Sequence, residues 1–303
     1  MSLPPRAKSP AKLVSRYPDF EKVQSERAPF DEYSFTHTQT VDPAWRPGSG
    51  ANDPSWRDHE TVHIDPYAGD RTPLDNYKLL VSGIVPRPIG VVSTEGPDGQ
   101  RNLAPFSYLQ IVNHDPPIFT LGFTMGASAL KDTSRHVLST RECVINLVSE
   151  HFVEAANYTS IDAPSGVSEW TLSGLTPAPS CKVKPPRVAE AVFAVEAKLV
   201  ASHDWFSPST GEKTGVLAIL SGVYFHVRED ALNEDRNVVD FRVLRPVGRL
   251  GGITYLRARE GFEVLRPTFG KDGEKEKNGV EQNGAEKNGV EKNGVEQNGA
   301  EKE

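Results

Sequence analysis

Residues 86–107, PRPIGVVSTEGPDGQRNLAPFS, decide how this chain is read. Pro86 and Pro88 fix the backbone on either side of Arg87 and push the residues before them toward extended geometry. Ile89 to Thr94 is β-branched apart from Gly90 and Ser93, which predicts a strand. Gly96-Pro97-Asp98-Gly99 is turn chemistry, so the chain reverses there. Asn102 to Ser107 resumes as a second strand, in which Pro105 lacks the N–H that a central ladder position needs. Such a strand break exposes backbone amides and a hydroxyl to something other than protein.

Working outward, residues 72–267 read as β-dominated. Strands are expected at Leu79–Val85, Ile89–Thr94, Leu103–Val112, Ile118–Phe123, Cys143–Ser149, Val192–Val200 and Val216–Val227. In Val192–Val200, Phe193, Val195, Ala197 and Leu199 share one face while Glu196 and Lys198 share the other, the alternation of a half-buried strand. Val216–Val227 is apolar on both faces, which places it inside a packed sheet. Two short helices are expected, one after Asp132 and one near Glu150–Tyr158. Strands at this density predict a mainly β fold, a barrel rather than an alternating βαβ sheet.

The ends differ in kind. Residues 1–60 are rich in Pro, Ser and isolated aromatics without sustained periodicity and read as a poorly ordered or arm-like extension. Trp45, Trp56 and Tyr67 could fold it back over the barrel or over a partner subunit. The first 18 residues hold four basic groups and no acid, but Pro4, Pro5 and Pro10 oppose the amphipathic helix of a transit peptide. From Glu276 the chain repeats EKNGV or EQNGA, a five-residue period matching neither helix nor strand, so 268–303 is expected to be a disordered tail. The folded domain is accordingly expected at 61–267.

Net charge is −7, and the mild acidity excludes non-specific nucleic-acid binding, which needs a basic surface. No apolar run is long enough for a membrane span or a secretory signal. Cys143 lies in the apolar run Cys143-Val-Ile-Asn-Leu-Val148, and the plain reading is a buried, reduced thiol in a cytoplasmic chain.

Lys131-Asp132-Thr133 follows a strand and the loop Gly126-Ala127-Ser128. Asp132 or Thr133 can cap a helix, and the helix start beside Lys131 offers free N–H groups and positive charge to an anion. The alternative is a plain cap with a solvated lysine. His59-Glu60-Thr61-Val62-His63 matches H-E-x-x-H, but Thr61, Val62 and Pro66 disfavour the helix on which that pattern binds zinc, and no metal is expected. No Gly-x-Gly-x-x-Gly follows a strand, so a Rossmann dinucleotide site is not indicated.

Taken together, Pro86-Arg87-Pro88-Ile89, Ser93-Thr94, Asn102-Leu-Ala-Pro-Phe-Ser107, Pro116-Pro117, Lys131-Asp132-Thr133, Asn146 and Arg249-Leu-Gly-Gly-Ile-Thr-Tyr255 resemble the flavin reductase-like family, whose fold is the FMN-binding split barrel. The likeness spans roughly residues 72–256. It implies a homodimer with FMN in a groove at the subunit interface. Its phosphate would meet Arg87, Ser93, Thr94, Lys131 and Thr133, and its ring would lie along Asn102 to Ser107. The residues so implied to bind cofactor are Arg87, Pro88, Ser93, Thr94, Asn102, Ala104, Pro105, Phe106, Ser107, Lys131, Asp132 and Thr133. It further implies hydride transfer from NADH or NADPH to flavin. That step needs two stacked rings more than an acid or base, so no catalytic side chain is nominated, His151 included. A non-enzymatic FMN carrier or sensor, and a barrel without cofactor, remain open on the residues alone.

Overall fold

Successive side chains of a strand point to opposite faces, and the burial shows where those faces meet. A computed structural model describes residues 19–125, 130–164 and 167–267. Seven strands form one antiparallel sheet: β1 (Gly90–Glu95), β2 (Arg101–Phe106), β3 (Leu109–His114), β4 (Pro117–Thr124), β5 (Glu142–Leu147), β6 (Phe193–Phe206) and β7 (Lys213–Val227). Their spatial order is β2-β1-β5-β6-β7-β4-β3. Val92, Leu109, Leu121, Ile145, Val195 and Leu220 pack in a single buried cluster, with Phe106 against it. Every strand therefore turns a face to the same interior, and the sheet curls into a barrel. It stays split where β2 and β3, consecutive in the chain, are its two unpaired edges.

A second cluster lies on the outer face of β1 and β2, where Val91 and Leu103 meet Val148, Phe152, Trp170, Val188 and Val247. Val216–Val227 is an interior strand as expected, bonded to β6 on one side and β4 on the other. At Gly215 the two backbones come so close that a Cβ would sit 2.7 Å from the Phe123 carbonyl oxygen. Gly215→Ala is expected to cost roughly 1–3 kcal/mol in chemical denaturation, because backbone rather than a flexible side chain must yield.

Five expectations are corrected or refined. Leu79–Val85 is not a strand but the end of helix α1 (Pro73–Gly83) and the segment after it. Thr72 and Asp75 form a capping box with Pro73 at the first helical position, and these start signals outweigh the apolar run. Leu103–Val112 is two strands, broken at Ser107 and Tyr108. Glu196 does not face solvent: its side chain is fully buried under the segment Cys181–Val183. The helix after Lys131, α2 (Asp132–Thr140), has Lys131 at its N-cap and no side-chain cap, so neither Asp132 nor Thr133 caps it. The helix expected near Glu150–Tyr158 is a 3-10 turn (Glu150–Phe152) followed by α3 (Val153–Tyr158).

Part of the extension is docked. Thr36–Thr38 pairs in parallel with Glu260–Phe262. The Tyr33 hydroxyl donates to Glu150 Oε1 (2.6 Å) and to the Ala258 carbonyl (3.0 Å). Trp45, Trp56 and Tyr67 remain exposed. Residues up to 262 form one unit and 263–303 a second, of which 263–267 are exposed and without regular structure. The expected pentad tail, the first 18 residues and the Gly126-Ala127-Ser128 loop lie outside the described residues.

Candidate functional site

The free edge of β2 is the feature from which a site can be built. Residues of β2 point their N–H groups alternately toward β1 and away from it. The Leu103 N–H points away, to Glu169 Oε2 (3.4 Å), so Pro105, two residues on, also turns its nitrogen to the free edge. There the missing N–H costs the ladder nothing, and the edge is left without a donor at that point. Ala104, Pro105, Phe106 and Ser107 are all half-buried. Phe106 is backed edge-on by Phe123, with ring centroids 5.2 Å apart.

At one end of this edge sits Arg87. Its Nη1 donates to the carbonyls of Val81 (2.6 Å) and Ile84 (2.7 Å), and its Nη2 to Leu250 (3.1 Å). Its Nε donates to Ser107 Oγ (3.3 Å). The guanidinium thus ties the end of α1, the Arg249–Tyr255 turn and the break after β2 into one corner. Four of its five N–H donors are committed to these groups, which differs from the phosphate fork expected of it. Ser107, accepting from Arg87, keeps its own proton to donate outward. Pro88 is exposed and pairs with Gly248 in a short ladder. Tyr108 beside this corner has its hydroxyl held above its usual range by burial and by Tyr77, with Arg87 acting in the opposite sense.

At the other end, Asn102 Nδ2 donates to Thr133 Oγ1 (2.7 Å), fastening β2 to the first turn of α2. Both side chains are buried. Lys131 and Asp132 are exposed; Asp132 pairs with Arg135, while Lys131 makes no ion pair among the described residues. From Asn102 to Ser107 the chain spans six residues, about 17 Å of extended strand.

Ser93 and Thr94 are not brought to this surface. They point to opposite faces of β1, and both are fully buried. Ser93 Oγ donates to the Pro186 carbonyl (2.5 Å), and Thr94 Oγ1 bonds His136 Nδ1 (3.1 Å). His136 was not singled out from the sequence; burial holds its pKa below the usual imidazole value. His151 is exposed and bonded to the Glu190 carbonyl (3.0 Å), away from these groups. Residues 59–65, with His59 and His63, are exposed and outside any helix. Cys143 is buried and unpaired, its thiol pushed up to about 12 by burial.

Comparison with known proteins places these features in context. Residues 82–245 match the family described as flavin reductase like domain. The fold matches nitrilotriacetate monooxygenase component B from Bacillus cereus at 33% identity and a TM-score of 0.64, over 68% of this chain and 100% of that one. It matches 2-nitrobenzoate 2-nitroreductase from Pseudomonas fluorescens at 28% identity and a TM-score of 0.60, over 69% and 98%. A flavin reductase with split barrel domain from Shewanella frigidimarina is similar in fold, with 19% identity and a TM-score of 0.56 over 69% and 100%. No helix among the described residues is long and apolar enough to cross a membrane.

Proposed function

This chain belongs to the flavin reductase like domain family, and from that premise we propose that it binds FMN along the free edge of β2 and passes hydride from NADH or NADPH to the flavin, with onward transfer to an acceptor. The observation that carries the reading is the edge itself, a proline-interrupted strand with a positioned hydroxyl at one end and, at the other, a cation without an ion-pair partner among the described residues. The donor set suits a long, amphipathic anion. Lys131 stands at the uncapped start of α2, where the helix N–H groups and its ammonium add positive charge for a phosphate. Asp132 subtracts from that charge, but Arg135 pairs with it.

The half-buried stretch Ala104–Phe106 offers an apolar rail for a ring system, stiffened from behind by Phe123. The Ser107 hydroxyl, fixed by Arg87 Nε, donates toward the polar rim of that ring. Bound flavin supplies the two-electron acceptor, and the protein's task is to orient it and keep one face open. The similarity to a monooxygenase component and a nitroreductase supports a redox role. A homodimer is part of the proposal: Leu79 and Leu80 of α1, Ile84 just after it, and Ile111 and Val112 on β3 are exposed, and a second copy would cover them.

The test is anaerobic. FMN-loaded protein is titrated with NADH and separately with NADPH, and the visible flavin absorbance is followed. Bleaching by at least one of them is the expected result. Protein that takes up no FMN, or a loaded protein bleached by dithionite but by neither nucleotide, sinks the reading; the latter leaves a carrier.

A further inference from the structure

Glu196 of β6, set between Val195 and Ala197 of the barrel interior and facing the other way, is fully buried. Burial alone would raise its carboxyl, but the Cys181 N–H, His226 and the Lys182 N–H outweigh it and hold it below the usual range. Oε1 accepts from Cys181 N (2.6 Å) and His226 Nε2 (2.6 Å), and Oε2 from Lys182 N (2.5 Å) and Val183 N (3.1 Å). The Cys181 segment is held again by Lys184 N to Glu142 Oε2 (3.0 Å). His226 lies on β7, and its side chain shares the face of Glu196: the ladder pairs Glu196 with Tyr224 and Ala194 with His226. A register shift follows directly after Glu196, the kind of bulge that re-aims a side chain.

Cys181 Sγ, a His226 ring nitrogen and a Glu196 oxygen all lie within 4.8 Å of one another. We propose that Cys181, Glu196 and His226 form a binding site for a zinc-like divalent cation. Bonds of about 2.0–2.3 Å in a tetrahedral site place ligand atoms roughly 3.3–3.8 Å apart, so the three need to move little to close on an ion. The cation takes the place of the proton between Glu196 Oε1 and His226 Nε2; the ring then carries its single proton on Nδ1, leaving Nε2 as the neutral ligand, and the Cys181 thiol gives its own proton to solvent on binding. A thiolate, a neutral imidazole and a carboxylate carry two negative charges, which balance a dication. This sulfur, nitrogen and oxygen set selects zinc or cobalt(II) over magnesium and calcium, which take oxygen ligands. Cys181 is exposed, so the fourth position opens to solvent and water completes the shell. Three backbone N–H bonds hold the carboxylate in place before any ion arrives, so binding requires little ordering. The site is separate from the β2 edge, and its test does not depend on flavin.

The experiment titrates the purified, metal-stripped full chain with Zn2+ by calorimetry and with Co2+ by absorbance. About one equivalent of Zn2+ per chain is expected, with a near-ultraviolet thiolate-to-cobalt band and the strong visible bands of a tetrahedral site. Cys181→Ser is expected to abolish the thiolate band. Cys181→Ser and His226→Asn are each expected to weaken Zn2+ by at least about ten-fold, with folding checked by the thermal melt. His59→Ala combined with His63→Ala is expected to change nothing. Loss of binding in that double variant, unchanged affinity in both Cys181→Ser and His226→Asn, or no stoichiometric uptake by the parent chain overturns the proposal.

Discussion

Glu150→Ala is expected to destabilise the protein toward the lower end of the roughly 3–5 kcal/mol that follows removal of one partner from a buried ion pair. The Glu150 side chain is 4% exposed. Its Oε2 meets Arg245 (2.9 Å to Nη2), and its Oε1 meets both Arg257 Nε (3.0 Å) and the Tyr33 hydroxyl (2.6 Å). The two arginines in turn reach the extension, Arg245 to Glu32 (3.3 Å) and Arg257 to Asp31 (3.0 Å). One carboxylate from the segment after β5 therefore fastens the N-terminal extension and the C-terminal strands together. Both arginines keep part of their surface in water, which limits the penalty of leaving them unpaired. Tyr33→Phe removes one hydroxyl and should cost about 1 kcal/mol.

The acid side follows from the same contacts. Burial raises the Glu150 carboxyl, but the Tyr33 hydroxyl and the Arg257 and Arg245 guanidiniums overcome it and hold the pKa below 4.5. Because the folded pKa is depressed, the stabilisation is complete above the unfolded value and is lost as pH falls through the folded one. Thermal melts across that window, paired with proteolysis of residues 30–38, read both effects. A Glu150→Ala protein that melts like its parent and keeps its extension protected would falsify this account.

Which parts of this were legible in the sequence depended on distance along the chain. The strands of Ile89–Thr94, Cys143–Ser149 and Val216–Val227 announced themselves by local composition, and Pro105 excluded a central ladder position for its residue, which the free edge of β2 satisfies. The helix at Pro73–Gly83 is also written locally, in Thr72, Pro73 and Asp75, but the apolar run Leu79–Val85 that overlaps its end has the composition of a strand. Ser107 is only a weak turn former and Tyr108 is none, so the break between β2 and β3 leaves little local signal. What no local pattern could show is where donors are spent. Arg87 reaches Leu250 across 163 positions and Tyr33 reaches Glu150 across 117. Glu196 looked like a solvent-facing strand residue because the segment that covers it belongs to another part of the chain.

That difference over Arg87 changes what its substitution should do to cofactor binding. If Arg87 gripped a phosphate, Arg87→Ala would weaken FMN and spare riboflavin, which lacks that group. Its guanidinium instead serves three carbonyls and Ser107, so Arg87→Ala should loosen the corner of α1, β2 and the Arg249–Tyr255 turn. Both ligands should then weaken by a similar factor, and the melting temperature should fall as well. Lys131→Ala is the complementary case. Lys131 is exposed and serves no partner among the described residues, so its loss should leave the fold intact. A charge-assisted bond to phosphate is worth roughly 1.5–3 kcal/mol, so FMN affinity should drop by about 10- to 150-fold while riboflavin changes little. Fluorescence titration of each variant with both flavins separates the cases. Selective loss of FMN in Arg87→Ala would return that guanidinium to the phosphate, and equal loss of both ligands in Lys131→Ala would move the phosphate away from the start of α2.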